Sequence, residues 1–173
     1  MGYSIDKTHS SISFSVRHMV FARVRGTFAT WDATANIDDK DLTKSNLDVT
    51  IDVASIDTKE AQRDGHLRSA DFFDVEHHPK MTFKSKRVEA AGPNKYKVTG
   101  DLSIRGTTKE VTLDVDALGG GKDPWGNQRL GFSARAEIDR QEWGLKWNQA
   151  LEAGGVLVGT KVEIEIDIQA VGK

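Results

Sequence analysis

The residues that could carry out chemistry in this chain of 173 residues include five histidines and no cysteine. Without cysteine, disulfides, thiolate metal sites, iron–sulfur clusters and cysteine nucleophiles are all excluded. A helical zinc site needs two histidines four residues apart with a glutamate between them, whereas His77 and His78 are adjacent and therefore point apart. We predict no metal site. A hydrogen-bonded residue at or near the surface is the default interpretation of each histidine, and His18 and His66 are in addition candidates for contact with a ligand.

Three further motifs are incomplete. Gly121-Lys122 resembles the end of a phosphate-binding loop, but Asp116 stands at the position of the first glycine, and Asp123 follows the lysine where Ser or Thr is needed. Ser133 lacks the second glycine of a nucleophile elbow, and the run that begins at Asp39 lacks the glycine and the glutamate of a calcium loop. The sequence therefore predicts no catalytic residue and no cofactor.

Cationic side chains near aromatic residues suggest binding of a ligand instead. Arg63, His66 and Arg68 are close in sequence to Phe72, which would place cationic donors at the rim of an apolar region. Such donors can bind an anionic head group through charge-assisted hydrogen bonds. Ion pairing with the neighbouring carboxylates of the same segment is the alternative.

His18 is a second candidate for contact with a ligand. It follows Ile12, Phe14 and Val16 with even spacing, so the strand geometry that buries those side chains could also point its imidazole into the interior, near a mouth. A hydrogen bond to a carbonyl or a carboxylate is the alternative role.

The elements that would position these residues are mainly strands, because apolar and polar residues alternate along most of the chain. We predict about eight antiparallel strands in an all-β fold, either a closed barrel or a sandwich, and closure is favoured because it removes exposed edges. Gly106 should form a tight turn between two of them, and the glycine run 119–121 a flexible turn. The strand patterns cover residues 11–17, 24–37, 47–53, 81–83, 96–104, 111–115, 130–138 and 162–168.

One segment, at about residues 57–78, breaks the alternation. It begins with a possible helix cap, and its apolar residues are loosely spaced as on a helix, so we predict a short helical insertion between strands. Near the other end of the chain, Trp143, Trp147 and Leu151 are each four residues apart. They could form one apolar face of a helix, a loop that plugs one end of a barrel, or simply part of the core.

The interior of such a barrel would be strongly apolar. We predict that a ligand contacts its inward-facing side chains together with the cationic and aromatic candidates above. The predicted contacts are Ile12, Phe14, Val16, His18, Val49, Ile51, Arg63, His66, Arg68, Phe72, Phe83, Leu102, Leu113, Phe132, Trp143, Trp147, Ile164 and Ile166.

Composition narrows the class of protein. Lys and Arg number 24 against 26 Asp and Glu, a formal charge of −2, which argues against a nucleic-acid partner. With 38% hydrophobic and 29% charged residues, the chain is expected to fold as one domain over residues 1–173. No signal-peptide pattern or membrane-spanning run is present in the chain as given, so we expect no stable membrane insertion and a cytoplasmic protein, or a periplasmic one if a signal was removed.

Several motifs, in order, resemble the YceI-like family of bacterial polyisoprenoid-binding proteins. The resemblance covers essentially the whole chain, from about Tyr3 to Ile168. The motifs are Tyr3–Asp6, His9–Met19, Val24–Phe28, Asp64–Asp74, Gly100–Leu113, Gly131-Phe132 and Arg140–Gly144.

The resemblance implies an eight-stranded antiparallel, lipocalin-like β-barrel with a short helical insertion. It also implies that the protein binds, stores or transports a long-chain isoprenoid or similar amphiphilic lipid, such as a polyprenyl compound or a quinone, in an apolar tunnel, and that it forms a homodimer. Three alternatives remain: an enzyme that acts on a prenyl lipid with His18 or His66 as acid or base, a binding protein for fatty acids or fatty amides, and a filled barrel that serves only as an interaction module.

Overall fold

The computed structural model describes residues 2–151 and 156–172 and consists mainly of β-strands. The first and last residues of the predicted domain, Met1 and Lys173, lie outside the described residues. The single α-helix of the described part is α1, Ala61–Arg68. The strands are β1 Tyr3–Ile5, β2 Ser11–His18, β3 Ala22–Phe28, β4 Trp31–Asn36, β5 Asn46–Asp52, β6 Ile56–Asp57, β7 Lys80–Gly92, β8 Lys95–Ile104, β9 Thr107–Lys122, β10 Gln128–Asp139 and β11 Val158–Gly172.

The strand pairing closes on itself into a barrel. The order is β4-β5-β7-β8-β9-β10-β11-β2-β3-β6, with every pair antiparallel and β1 added to β11. Only Ala29 and Thr30 separate β3 from β4. The amide of Ala29 donates to Ser55 O at 3.2 Å and that of Asp52 to Thr30 O at 2.9 Å, so the β3–β6 and β4–β5 pairings are continuous.

Counted in this way, the barrel has eight long strands. Two of these strands are interrupted: β3 and β4 form one strand broken at Ala29–Thr30, and β5 and β6 form one strand broken at the 3-10 turn Val53–Ser55. With the two breaks and the short additional strand β1, the eight strands become eleven segments. The predicted all-β antiparallel barrel is confirmed, as is the bent strand predicted across residues 24–37. Within the part of the chain that the structure describes, closure leaves no long unpaired edge, and unpaired edges are prone to aggregation.

The alternation of side chains produces the apolar interior. In β11, Val162, Ile164 and Ile166 face inward and pack against the core, whereas Glu163 and Glu165 between them face outward. The register places Ile164 opposite Phe14 and Ile166 opposite Ile12, so the inward faces of β2 and β11 meet. A pattern of period two therefore becomes one continuous apolar lining.

Successive connections fall at opposite ends of the barrel, because each strand runs against the one before it. We call "helix end" the end that carries the connections 19–21, 58–79, 105–106 and 140–157, and "terminal end" the one that carries the connections 37–45, 93–94 and 123–127 together with β1. At the helix end, the predicted tight turn around Gly106 is confirmed; it consists of Arg105 and Gly106, with φ of 49° and 77°.

The helical insertion is present, but its helix is shorter than the segment 57–78. Glu60 caps α1, and the amide of Ser69 already bonds to His66 O as the helix ends. Turns follow, with Asp74 in the left-handed region at φ 51° and its carbonyl accepting from the amides of His77 and His78. A left-handed residue cannot continue an α-helix, so the rest of the insertion folds as turns.

The glycine run was predicted wrongly as a flexible turn. Gly119–Gly121 belong to β9 and pair with Gly131–Arg129 of β10, and the turn lies beyond them at 123–127. A side chain at Gly120 would come within 2.7 Å of Arg129 O. Glycine therefore permits close approach of two strands here.

Candidate functional site

Two apolar cavities lie inside the barrel, one after the other along its axis. The first has a volume of about 150 Å³ and lies toward the helix end, where Leu67, Phe72 and Phe73 form part of its wall. The second has a volume of about 110 Å³ and lies toward the terminal end, beside Ile5 and Ile37. For scale, a cavity of about 150 Å³ lined by Leu, Ile and Phe stays dry and can bind benzene.

The two cavities share part of their lining. We call this shared ring the waist; it consists of Leu47, Leu113, Ile166 and Ile168. Because the waist side chains are all aliphatic, a hydrocarbon chain that passed from one cavity to the other would meet no polar group there.

Most of the inward-facing residues predicted from the sequence lie in these cavity walls. The first cavity is lined by Ile12, Phe14, Val16, Val49, Ile51, Phe72, Phe83, Leu102, Leu113, Ile164 and Ile166. Phe132 lines the second cavity, together with Leu113 and Ile166. Their contact with a ligand stays a prediction.

His18 and Trp143 occupy other positions. His18 is half-buried at the end of β2, where it pairs with Ala22 and Val158, and it is not among the described residues that line either cavity. Trp143 is 2% exposed, and its indole N–H donates to Leu102 O at 2.9 Å. Of the three roles considered for the tryptophans, Trp143 has the core role, because Gly144 at φ 85° ends a 3-10 turn and no helical face forms.

Arg63 and Arg68 hold α1 against the barrel. The Arg63 guanidinium donates to Thr58 Oγ1 at 2.8 Å and to Thr58 O at 2.7 Å. Arg68 donates to Ala54 O at 2.9 Å and to Ile56 O at 3.2 Å. Both side chains therefore bind the segment that precedes α1, rather than the neighbouring carboxylates that were the alternative partners.

An aromatic cluster joins α1 to the β10–β11 connection. The His66 ring centroid lies 5.0 Å from that of Phe72 and 4.6 Å from that of Trp147, and the Phe72 and Trp147 centroids are 5.5 Å apart. His66 Nε2 is 2.8 Å from Asp71 Oδ2. Since Phe72 also lines the first cavity, the cluster packs behind the wall of that cavity at the helix end.

Arg140 lines the first cavity, although it was not among the contacts predicted from the sequence. It is 5% exposed and donates to four backbone carbonyls, those of Gly159, Leu145, Trp147 and Val158, over 2.6–3.2 Å. Its guanidinium carbon also lies 5.7 Å from the centroid of the Phe72 ring. Burial lowers the pKa of Arg140 from its usual value.

The position of Arg140 in the sequence could have predicted its burial. The apolar positions 130, 132, 134, 136 and 138 lie on one face of β10, and Arg140 is the next even position. The same periodicity that buries Ile138 therefore directs this cation inward. Among the described residues that line the cavities, Arg140 is the one charged side chain.

The described part of the chain has neither a metal-binding cluster nor a membrane-spanning helix. Within residues 2–151 and 156–172, no cluster of His, Cys, Asp or Glu is arranged to hold a metal ion. None of the helices in those ranges is long and apolar enough to span a membrane.

Comparison with known proteins places this geometry in a family. The family model for the YceI-like domain matches residues 3–170. A UPF0312 protein of Staphylococcus epidermidis is 42% identical over 164 residues, which cover 94% of this chain and 93% of the relative. Burkholderia cenocepacia BcnA has a crystal structure similar to this one with a TM-score of 0.84 at 26% identity, over 96% of this chain and 99% of that chain.

A more distant structure shares the fold. It is a polyisoprenoid binding domain from Saccharophagus degradans, with a TM-score of 0.70 at 16% identity over 100% of this chain and 99% of that chain. The resemblance seen in the sequence motifs is thus confirmed by the family model, by a full-length relative and by the fold. The chain belongs to the YceI-like family.

Proposed function

We propose that this protein is a non-enzymatic binding protein that stores or transports a long-chain isoprenoid or similar amphiphilic lipid, such as a polyprenyl compound or a quinone. The observation that carries the proposal is the pair of apolar cavities in line along the barrel axis, joined by an aliphatic waist. The S. degradans protein of the same fold, which is named for polyisoprenoid binding, supports it.

The energetics of burial favour a slim hydrocarbon chain. Burying one CH₂ group stabilises a complex by roughly 0.8 kcal/mol, so a five-carbon isoprene unit offers about 4 kcal/mol. About three units would offset an association cost of roughly 4–15 kcal/mol. Since affinities saturate near about 18–21 kcal/mol, longer chains cannot add linearly, and selectivity must come from tunnel length and polar contacts.

Two features of the interior define how such a chain would lie. Each cavity has room for about one benzene-sized group, so a long chain must displace side chains at the waist as it enters. Arg140 offers the charged contact of the first cavity, and we propose that the polar end of the lipid lies near it. The apolar tail would then extend past the waist toward Phe132.

The enzyme alternative has a separate test. His18 does not line either cavity among the described residues, and His66 is paired with Asp71 behind the wall of the first one. We therefore propose binding without turnover. Turnover of a prenyl diphosphate that disappears in His18→Ala and His66→Ala would replace this proposal with an enzyme.

We also propose that the protein is a homodimer in the cytoplasm. Analytical ultracentrifugation of the purified protein tests the first statement, and a monomer at micromolar concentration would contradict it. Fractionation of the native cell tests the second, and recovery with the periplasmic fraction would contradict it.

The direct experiment identifies what the protein carries. Protein purified natively from bacteria is extracted with organic solvent, and the extract is analysed by mass spectrometry beside that of a denatured control. A stoichiometric polyprenyl or quinone species is the expected result. A stoichiometric fatty acid or fatty amide would support the alternative ligand class, and an empty protein that also fails to bind prenyl diphosphates and quinones in titrations would refute the proposal.

A matched pair of variants tests the place of binding. Ile166 lines both cavities, whereas Glu165 beside it on β11 is exposed. Ile166→Trp should fill the waist and reduce the extracted lipid, or shorten its chain, while Glu165→Trp should leave it unchanged. Equal yields from both variants, with circular dichroism showing that both are folded, would contradict binding across the waist.

A further inference from the structure

The tip of the β2–β3 hairpin exposes apolar side chains at the helix end of the barrel. Met19, Val20 and Phe21 are all exposed, and Phe21 is 82% exposed. Val156, which is also exposed, precedes Leu157, whose carbonyl accepts a 2.7 Å hydrogen bond from the amide of Met19. The apolar surface of the hairpin tip is therefore extended by the neighbouring connection.

The backbone of this tip is unfavourable for its sequence. Met19 and Val20 have φ of 54° and 71°, in the left-handed region, which β-branched residues such as valine strongly avoid. Left-handed positions in tight turns favour Gly, Asn or Asp. The chain instead carries large apolar residues there, which reduces its stability and exposes hydrocarbon to water.

The charges beside the tip are cationic. Arg17 and Arg23 are directly opposite one another in the β2–β3 pair, and like charges in that position destabilise a sheet. Arg23 forms an ion pair with Glu163 at 2.9 Å, whereas Arg17 forms none with any residue that the structure describes. Lys161 is exposed on the adjacent strand β11. An anionic surface would relieve the repulsion between the two arginines.

The β9–β10 turn at the opposite end of the barrel differs in charge although it also exposes an aromatic residue. Trp125 is 79% exposed in the β9–β10 turn, where Asp123 pairs with Arg129. The connection 37–45 at the same end carries Asp38, Asp39 and Asp41. Lys40 and Lys44 lie among those carboxylates, and the connection 58–79 at the helix end carries five Asp and Glu of its own, so the comparison applies to the turns and not to the whole ends. Residues 17–23 contain two arginines and no carboxylate, so of the two turns with an exposed aromatic residue the β2–β3 tip is the more cationic.

We propose that the β2–β3 tip is a membrane-contact loop that docks the helix end of the barrel reversibly on a bilayer rich in anionic lipids. Phe21, Val20 and Met19 would enter the boundary between head groups and acyl chains, as apolar faces of peripheral proteins do, while Arg17 and Arg23 contact phosphates. This inference concerns the outer surface of the barrel and holds whatever the cavities bind.

Vesicle sedimentation tests the proposal. The purified full chain is mixed with phosphatidylcholine vesicles, or with vesicles in which about one third of the lipid is phosphatidylglycerol, at low and at physiological salt. We expect binding to the anionic vesicles that weakens with salt. Phe21→Ser should weaken it about tenfold or more, because an apolar side chain no longer leaves water, and Arg17→Gln about fivefold, because one cationic contact is lost.

Trp125→Ser is the matched control, since it removes a similarly exposed aromatic residue from the other end. It should leave vesicle binding unchanged, and both Phe21→Ser and Trp125→Ser should unfold at the same urea concentration as the parent. Absence of sedimentation with anionic vesicles would overturn the proposal, as would equal losses in the two serine variants. The amount of extracted lipid, measured separately, reports on the cavities and not on docking.

Discussion

Replacing Arg140 with methionine isolates the contribution of the buried guanidinium. Methionine keeps a flexible, unbranched apolar stem and removes the charge together with all of the donors. Four backbone carbonyls lose the Arg140 donor, those of Leu145 and Trp147 in the β10–β11 connection and those of Val158 and Gly159 at the start of β11. Val158 O keeps its 2.7 Å bond from the Asn148 side-chain amide. Since these groups lie on both sides of the connection, Arg140 is the side chain that fastens it across the helix end.

The size of the effect follows from these contacts. Each hydrogen bond from a charged donor contributes about 1.5–3 kcal/mol, so four would amount to at least about 6 kcal/mol. Burial of the guanidinium, which also lowers its pKa, opposes this gain, and the variant no longer bears that desolvation penalty. We expect a net loss of about 3 kcal/mol in the free energy of unfolding, which is typical when one member of a buried polar network is removed.

Urea unfolding followed by tryptophan fluorescence measures this loss. With a slope of about 2 kcal/mol per M, the midpoint should fall by about 1.5 M, and the melting temperature should fall by roughly 6–12 °C. Arg135→Met is the control, because Arg135 lies on β10, the strand that ends just before Arg140, and faces solvent with Asp116 as its partner at 3.6 Å. Its effect should be within about 0.5 kcal/mol. If the two variants unfold at the same urea concentration, Arg140 does not hold the connection.

Three further outcomes are expected. Phe132→Asp places a carboxylate in the wall of the second cavity and should empty the protein of lipid; a folded Phe132→Asp protein that retains its lipid in mass spectrometry would refute that placement. Val20→Gly removes the unfavourable left-handed valine, so it should raise the free energy of unfolding by about 1 kcal/mol and should weaken vesicle binding. A fall in the urea midpoint would contradict backbone strain at Val20. The hydrogen bond between Asp74 and His77 lowers the pKa of Asp74 below 3.8 and raises that of His77 above 6.5. Its contribution is therefore present between those values and is lost as the pH falls through the lowered pKa of Asp74 or rises through the raised pKa of His77. His77→Gln should accordingly reduce the urea midpoint more at pH 5 than at pH 9, and a difference that grows with pH would oppose this assignment.

Periodicity predicted the strands well because apolar and polar residues alternate along a strand that has one buried face. Alternation along the strands identifies which side chains face inward, and eleven of the twelve predicted residues in the cavity walls follow from it; the twelfth, Phe72, lies in the turns after α1. The helical insertion was harder to predict in extent. Its helix ends where Ser69 and Asp74 turn the chain, and those turns depend on backbone angles that periodicity does not record.

The site at the helix end was the least predictable part. Arg63 and Arg68 were expected to meet either a head group or carboxylates, yet they bind Thr58 and backbone carbonyls that precede α1. A carbonyl partner cannot be foreseen from the residue types, because every residue carries one. Trp147 likewise meets His66 only because the β10–β11 connection folds back over α1.

The class of the fold and the family could be predicted from the order of residues, because alternation and ordered motifs can be seen without any tertiary contact. The same order predicted that the interior would be apolar. Three features required the three-dimensional structure: two interrupted strands join into a closed ring, the interior divides at the waist, and Arg140 is buried and donates to four carbonyls. These features depend on which distant segments meet at each end of the barrel, and packing between distant segments is decided only once the whole sheet has closed.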